Sequence, residues 1–420
     1  MFLLGNKEMK KLDEAGISKL DLKRCNRMQI LKLLRQDGPT SRIDISRSLE
    51  LTRAAVTIIT NEMIESGILY KKGEVSTAGK KPTRGRKKVL IDINPNYKFT
   101  FGVVVDRGVV SVGLSNLNGE VLGKRSERLP DLFDVGRMLD SIINHVRDIK
   151  AESCLGSEQI LGLGLCIPTR HFKELGVIQG DRQRMDFSAL SEPLQKALGF
   201  PVVVEELVNS LALANIDFGY PEDKKPRNMV FVRYRKDITS SVIIDNQIYF
   251  GVHNRAAEFA HTVYDVQGDL CELCGQRGCV STKISGAALT AQIDSIYSSE
   301  QTPILYSALG ETSIAPGQRA LNEQQLFGDE SIKRILSEAS RYLAIAILNT
   351  VRMFDPERIV FFGKMLENPA LVDCVKQNLA NYLDAETMGL LSVSKIKTKA
   401  IYLAGCSVAI RDLFIKKGAL

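Results

Sequence analysis

Residues 99–128, FTFGVVVDRG VVSVGLSNLNG EVLGKRSER, decide the fold. Apolar runs rich in Val and Phe are broken at Asp106-Arg107-Gly108 and again at Asn116-Leu117-Asn118-Gly119, and such residues favour tight turns. The pattern predicts consecutive strands, and the chain beyond them alternates between helix and strand. A helix is expected near 134–153, strands at 160–166 and 201–204, and a helix at 206–218. Further strands at 229–234 and 240–250 lead into a cysteine-containing segment, with helices near 284–297 and 328–352. A strand–helix unit over 358–384 and a small-residue helix over 401–415 close the chain. This alternation is that of an α/β body with mixed sheets.

Upstream of this body the composition changes. Residues 1–90 hold 20 Lys/Arg against 10 Asp/Glu, while residues 91–420 hold 36 against 39, out of 56 and 49 in the whole chain. The basic character therefore belongs to the first ninety residues, which favours a polyanionic partner for that segment and none for the rest. No stretch approaches the ~18 consecutive apolar residues of a membrane span, and the opening residues lack the layout of a secretory signal. A cytoplasmic protein is expected. Of eight cysteines, three fall between Cys271 and Cys279, which suggests one local site and no disulfide framework.

The basic segment has the periodicity of a folded domain. Residues 23–36 form a helix with Met28, Ile30, Leu31, Leu33 and Leu34 inward, stopped by Asp37-Gly38-Pro39. A short helix over 42–49 comes next, with Ile43, Ile45 and Leu49 inward, and a third over 53–66 is N-capped by Thr52 and packs Val56, Ile59, Met63 and Ile64. A strand then begins at Gly67-Ile68-Leu69-Tyr70. This is the order of a winged helix-turn-helix, whose third helix enters the major groove of double-stranded DNA. The candidate DNA contacts are Thr52, Arg53, Ala54, Thr57 and Asn61, small or hydrogen-bonding residues suited to base edges and phosphates. Residues 71–88 read as wing and linker, in which Arg84 and Arg86 flank a glycine and suit a narrow minor groove.

His261, Cys271, Cys274 and Cys279 give the spacing H-x9-C-x2-C-x4-C, with Gly275 and Gly278 between the last two cysteines. One imidazole and three thiolates suit a tetrahedral structural zinc ion, since four protein ligands leave no open position for catalysis.

The order of segments resembles the ROK family of repressors, open reading frames and kinases, in particular its sugar-responsive repressors. The likeness rests on FGVVVDRGVVSVGLSNLNGEVL (101–122), LGLGLCIP (161–168), GFPVVVEELVNSLALA (199–214), RAAEFAH (255–261), the cysteine cluster and LAGCSVAI (403–410). It implies an N-terminal winged helix-turn-helix followed by a two-subdomain, actin-like, sugar-kinase-like body. The expected divisions are an arm over 1–22, the DNA-binding domain over 23–80, a basic linker over 81–97, subdomains over 98–215 and 216–390, and a C-terminal helix over 391–420 that returns to the first subdomain.

The resemblance also supplies a test for kinase chemistry, which needs a general base and a backbone cradle for phosphates. Where the family resembles Glu-Asn-Asp-Ala-Asn, with the Asp as base, this chain has Glu205-Glu206-Leu207-Val208-Asn209. Leucine cannot accept a proton, and the one-residue shift points Glu206 elsewhere. The phosphate hairpin reads Tyr234-Arg235-Lys236-Asp237-Ile238-Thr239-Ser240-Ser241, without glycine. The first phosphate loop, Asp106-Arg107-Gly108-Val109-Val110, puts bulk where glycine and threonine are expected, and Phe362-Gly363-Lys364-Met365 is glycine-poor. No catalytic residue and no kinase activity are expected.

Sugar contacts implied by the resemblance are Glu258 and His261, from a Glu-x-x-His pattern, with Asn209 and Glu206; Ser281 stands where the family has a glutamate. A sugar, a sugar phosphate held by added basic residues, and control by a protein partner all remain open. The reading is a DNA-binding regulator, a repressor of carbohydrate-utilisation genes, acting as a homodimer or homotetramer on a palindromic operator. The alternative is an ATP-dependent sugar kinase with a DNA-binding head.

Overall fold

The basic segment folds around its own apolar core. Helix α1 (Lys19–Asp37) is followed by the two-residue strand β1 (Thr40–Ser41), α2 (Arg42–Ser48) and α3 (Arg53–Glu65). Ser41 caps α2, accepting from Asp44 N at 3.3 Å, and Thr52 caps α3, accepting from Ala55 N at 3.2 Å. Strands β2 (Leu69–Glu74) and β3 (Val89–Ile93) pair antiparallel, and β1 adds to β3 to complete the order β1-β3-β2. Ile30, Leu31, Leu34, Ile45, Val56, Ile59, Met63, Ile68 and Leu69 are buried together. Ile43, expected inward, is 39% exposed. Two residues apart on a helix are about 200° apart around it, so Ile43 and Ile45 cannot share a face, and Ile45 takes the core.

The computed structural model describes residues 19–74, 88–130, 134–168, 187–221, 224–253, 256–311, 313, 315–323, 328–363 and 369–419. One unit holds the described residues between 19 and 168, 187 and 225, and 398 and 419; the other holds those between 226 and 397.

In the first unit, β4 (Phe99–Asp106) is buried at every position, which is why it reads as one apolar run. It pairs antiparallel with β5 (Val109–Asn116), and β5 with β6 (Val121–Arg128), a mostly exposed strand carrying Lys124, Arg125, Glu127 and Arg128 along the sheet edge. After α4 (Val135–Ser153), β7 (Ile160–Ile167) joins β4 in parallel, and after α5 (Ser188–Leu198), β8 (Val202–Glu206) joins β7, giving the order β6-β5-β4-β7-β8. Helix α6 (Leu207–Gly219) leaves the end of β8 and is buried on nearly every side.

The second unit repeats the plan. Strands β9 (Met229–Tyr234), β10 (Ile238–Ile244) and β11 (Gln247–Ile248) form an antiparallel meander. The expected strand over 240–250 is thus two strands, folded at Asp245 and Asn246, which both have positive φ. The expected helix over 284–297 is likewise broken at Ser285, which caps α8 (Gly286–Ser295) after the short α7 (Ser281–Ile284). Then come α9 (Pro303–Leu309), α10 (Pro316–Asn322) and the long α11 (Glu330–Phe354), whose Ile332, Leu336, Leu343 and Ile347 face the core. Strand β12 (Arg358–Phe362) runs parallel to β9, followed by α12 (Pro369–Leu379), α13 (Ala385–Met388) and β13 (Leu391–Val393), in the order β11-β10-β9-β12-β13.

The chain then returns to the first unit as α14 (Leu403–Ala409), continued by a π-helical turn over Ile410–Ile415. Here two of the quoted motifs meet. A Cβ on Gly164 would stand 2.0 Å from the Gly405 carbonyl oxygen, so sheet and helix backbones touch only because both residues are glycine. The π-helical turn goes on to the basic head: Ile410, Phe414 and Ile415 lie in the same apolar cluster as Ile30 and Met63. The first unit therefore runs to Lys225 and resumes at Thr398, against expected breaks at 215 and 390.

Candidate functional site

The third helix of the head presents Thr52, Arg53, Ala54, Thr57, Ile58 and Asn61 as exposed residues, while Val56, Ile59, Thr60 and Met63 are buried. Its orientation is fixed from α2. Arg42 donates from Nε to Thr60 Oγ1 at 2.8 Å and from Nη2 to Asn61 Oδ1 at 2.7 Å. The Thr57 hydroxyl donates to the Arg53 carbonyl at 2.7 Å, and the Thr52 hydroxyl serves the cap. Of the expected contacts, Arg53 and the Asn61 amide group thus retain hydrogen-bonding capacity toward a base or phosphate, whereas Thr52 keeps only its O–H to donate and Thr57 only its oxygen to accept. Arg84 and Arg86 lie outside the described residues.

Within the first unit, the head is joined to the sheet-bearing part by a buried ion network that sequence reading missed. Asp217, near the end of α6, accepts from Arg35 Nε at 3.3 Å, from Arg411 Nε and Nη2 at 2.9 Å each, and from the Ser407 hydroxyl. Arg35 also donates to the Leu117 carbonyl at 2.7 Å and stacks over Phe218. Burial by itself would push the Asp217 carboxyl up, but the Arg411 and Arg35 guanidiniums hold it well below the usual carboxylate range.

At its other end α6 begins beside the acid pair. Asn209 Nδ2 reaches Glu205 Oε1 at 3.3 Å and Glu206 Oε2 at 3.4 Å, and Glu205 Oε1 accepts from the Glu206 N–H at 2.8 Å. Leu207 is 1% exposed, a core residue where the resemblance expects a base. Burial, with the Glu205 charge adding, pushes Glu206 up to about 7, and burial raises Glu205 as well. An acid whose folded pKa lies above its unfolded value near 4.5 binds more protons when folded. Its contribution favours the fold at low pH and is lost as pH rises through about 7. Glu206→Gln should therefore flatten the fall in melting temperature between pH 5 and pH 8; an unchanged pH profile in thermal denaturation would contradict this ionisation.

The phosphate-side elements are closed. Arg107 and Gly108 both have positive φ and form a two-residue turn between β4 and β5, with Val110 buried behind it. In the second unit, the first N–H groups of α8 donate to the hairpin carbonyls: Gly286 N to Arg235 O and Ala287 N to Lys236 O, both at 3.0 Å, with Ala288 N on Ser285 Oγ at 3.1 Å. Those are the donors a helix N-terminus would offer to phosphate. The Arg235 guanidinium lies over the Phe362 ring at 5.4 Å, and Lys364 and Met365 fall outside the described residues.

His261, Cys271, Cys274 and Cys279 converge, with ligand atoms all within 4.8 Å of one another. Cys274 Sγ and Cys279 Sγ are 3.4 Å apart, and Cys271 Sγ is 3.7 Å from His261 Nδ1. Tetrahedral bonds of ~2.3 Å to sulfur and ~2.0 Å to nitrogen require edges of about 3.5–3.8 Å, so the donor set could hold a metal ion. The loop is held by backbone pairing of Val263 with Cys279 and of Leu270 with Arg277. A Cβ on Gly278 would lie 1.6 Å from the Asp265 carbonyl oxygen, which explains glycine there. Burial pushes Cys279 up to about 12, with Cys274 and Cys271 adding. Burial raises Cys271 too, but hydrogen bonds from Ser281 and from the backbone of Cys274 and Leu273 outweigh it and bring the thiol to about 6. Ser281, in place of the expected glutamate, is thus a neighbour of the metal ligand, 3.5 Å from its sulfur.

Glu258 is exposed and precedes the single turn Phe259–His261, whose His261 N–H donates to the Glu258 carbonyl at 3.0 Å. Glu258 and His261 belong to the second unit, and Glu206 and Asn209 to the first.

Comparison with known proteins fits this arrangement. A winged helix-turn-helix DNA-binding model matches residues 26–70, and the ROK family model matches residues 105–400. A xylose repressor of Caldicellulosiruptor bescii is 25% identical over 402 residues, covering 93% of this chain and 97% of the relative. Among solved structures, a ROK family transcriptional regulator described as a homologue of the Escherichia coli Mlc protein superposes with a TM-score of 0.69 at 23% identity, over 95% of this chain and 98% of that one. A ROK hexokinase from Thermus thermophilus gives a TM-score of 0.55 at 22% identity, over 75% of this chain and 99% of that one. The kinase-like body is thus shared while the head is extra, and with the matched body spanning well over half its length, this chain belongs to the ROK family.

Proposed function

We propose that this protein is a transcriptional repressor of carbohydrate-utilisation genes, controlled by a sugar or sugar derivative and devoid of kinase activity. The observation that carries the reading is the outward face of α3, where Arg53, Ala54, Thr57 and Asn61 stand exposed on a helix locked from behind by a shared core. The likeness to a xylose repressor along nearly the whole chain supports the same role. Two copies place two heads on a palindromic operator, as a homodimer or homotetramer in the cytoplasm, with Arg84 and Arg86 following the minor groove. Zinc is the metal assigned to His261, Cys271, Cys274 and Cys279, where it would tie down a loop with little core of its own. The candidate effector contacts are Glu206 and Asn209 in the first unit and, separately, Glu258 and His261 in the second.

Phosphotransfer is argued against by Leu207 at the base position and by the α8 N–H groups already bound to hairpin carbonyls. Incubation with ATP and a panel of sugars should yield no sugar phosphate; turnover would favour the kinase reading. Titration calorimetry with monosaccharides, their 6-phosphates and amino sugars should find one saturating ligand, with ATP silent. Silence throughout would favour control by a protein partner.

DNA reading is tested by selecting duplexes from a randomised library with the full-length protein. A palindromic site should be enriched. Arg53→Ala should weaken binding to it about tenfold or more and reduce the salt dependence of binding by about one phosphate contact. Equal affinity at every salt concentration would remove Arg53 from the interface.

A further inference from the structure

The exposed stripe of α3, the face proposed to meet DNA, contains a large apolar residue. Ile58 is 60% exposed, although it lies in the middle of a 13-residue helix whose apolar partners Val56, Ile59 and Met63 are all buried. A β-branched residue is a poorer helix former than Ala, Lys or Glu, and an exposed isoleucine leaves apolar surface in water. Both effects disfavour isoleucine at a free surface position. Ala54 lies one turn before it on the same face, and beside them Thr57 donates its hydroxyl proton to the Arg53 carbonyl. Ala54 and Ile58 thus form an exposed apolar strip between two polar residues, Arg53 and Asn61. Asn61 is steadied by Arg42 from the neighbouring helix.

We infer that Ile58, with Ala54 beside it, is a specificity-determining residue that reads the C5-methyl group of a thymine in each half-site. The inference rests on the DNA-binding reading above. The occupant is duplex DNA, because the segment that carries the strip has 20 Lys/Arg against 10 Asp/Glu. In the major groove, thymine is the base that presents an apolar group, and a side chain without donors or acceptors discriminates only by contact with it. Arg53 and Asn61 then supply the polar contacts on either side.

The experiment uses the full-length protein and the palindrome recovered from the randomised library. Each thymine is replaced in turn by uracil, which removes the methyl group and leaves every hydrogen-bonding group in place. One symmetric pair of replacements should reduce affinity, by about three- to fivefold per half-site for one buried methyl contact. Ile58→Ala, at an exposed position with a good helix former, should bind the thymine and uracil sites equally. The library selected with that variant should lose thymine at the same position. A wild-type protein indifferent to every thymine-to-uracil change, or an Ile58→Ala variant as sensitive as the wild type, would overturn the inference while leaving DNA reading intact. Failure to enrich any sequence would overturn the DNA-binding reading itself.

Discussion

Asp217→Ala should destabilise the first unit by about 3–5 kcal/mol, the range found when one partner of a buried ion pair is removed. The Asp217 side chain is 1% exposed and lies between Arg35 and Arg411, themselves buried or nearly so. Without it two guanidiniums are left facing each other beside the apolar cluster that joins the head to the C-terminal turn. Urea denaturation of the full-length protein reads the loss directly, and a midpoint equal to that of the wild type would show the network to be idle. Replacing Arg35, Asp217 and Arg411 together with apolar residues should recover much of the loss, since no charge is then stranded. The pH dependence has a definite sign. Asp217 is depressed on folding, so its stabilisation is present above the ordinary carboxylate pKa near 4 and disappears as pH falls further.

Cys279→Ala should abolish metal binding and loosen the loop from Thr262 to Val280. The residue is fully buried and its sulfur is 3.4 Å from that of Cys274, so alanine removes a donor and no other ligand group replaces it. A structural site of this kind supplies apparent binding free energy on the order of 10 kcal/mol, comparable with the whole stability of a domain. Elemental analysis should fall from one zinc per chain to none, and melting should drop by roughly 10 °C or more, with a chelator producing the same shift in the wild type. Chelator-insensitive melting of a metal-free wild type would remove the metal from the account. Val263, Val266, Leu270 and Leu273 are all exposed, so apart from its backbone pairs, the Tyr264–Tyr342 ring contact and the Lys283–Asp269 ion pair, the loop would rely on the ion that the four ligands would hold.

Much of this was legible because it is local. The α1 and α3 periodicities, the Thr52 cap, the apolar run of β4 and the spacing of His261 and the three cysteines each declare themselves within twenty residues or so. What was not legible is what depends on distant partners. Arg35 looks like a solvated helix residue, yet it is buried because Asp217 lies 182 residues away in sequence and at hydrogen-bonding distance in space. Thr57 and Asn61 read as base contacts from residue type alone. Their neighbours Arg53 and Arg42 decide how much of each is available, and Ile58 could have been found by asking which apolar residue the core of α3 had no room for.

The packing of residues 410–419 against the head has a consequence for how the protein is made. The head is synthesised first, but its apolar cluster includes Ile410, Phe414 and Ile415, and Arg27 donates to the Ala419 carbonyl across 392 residues. Burying each of those three side chains contributes about 1.5–3 kcal/mol, a large share of what a domain of this size can accumulate. A nascent chain emerging from the ribosome therefore carries a reading head with a gap in its core until residues 410–415 have been made. Completion of the head's core waits on a segment made more than three hundred residues later, and a chain terminated before residue 410 is left without a finished head to occupy an operator.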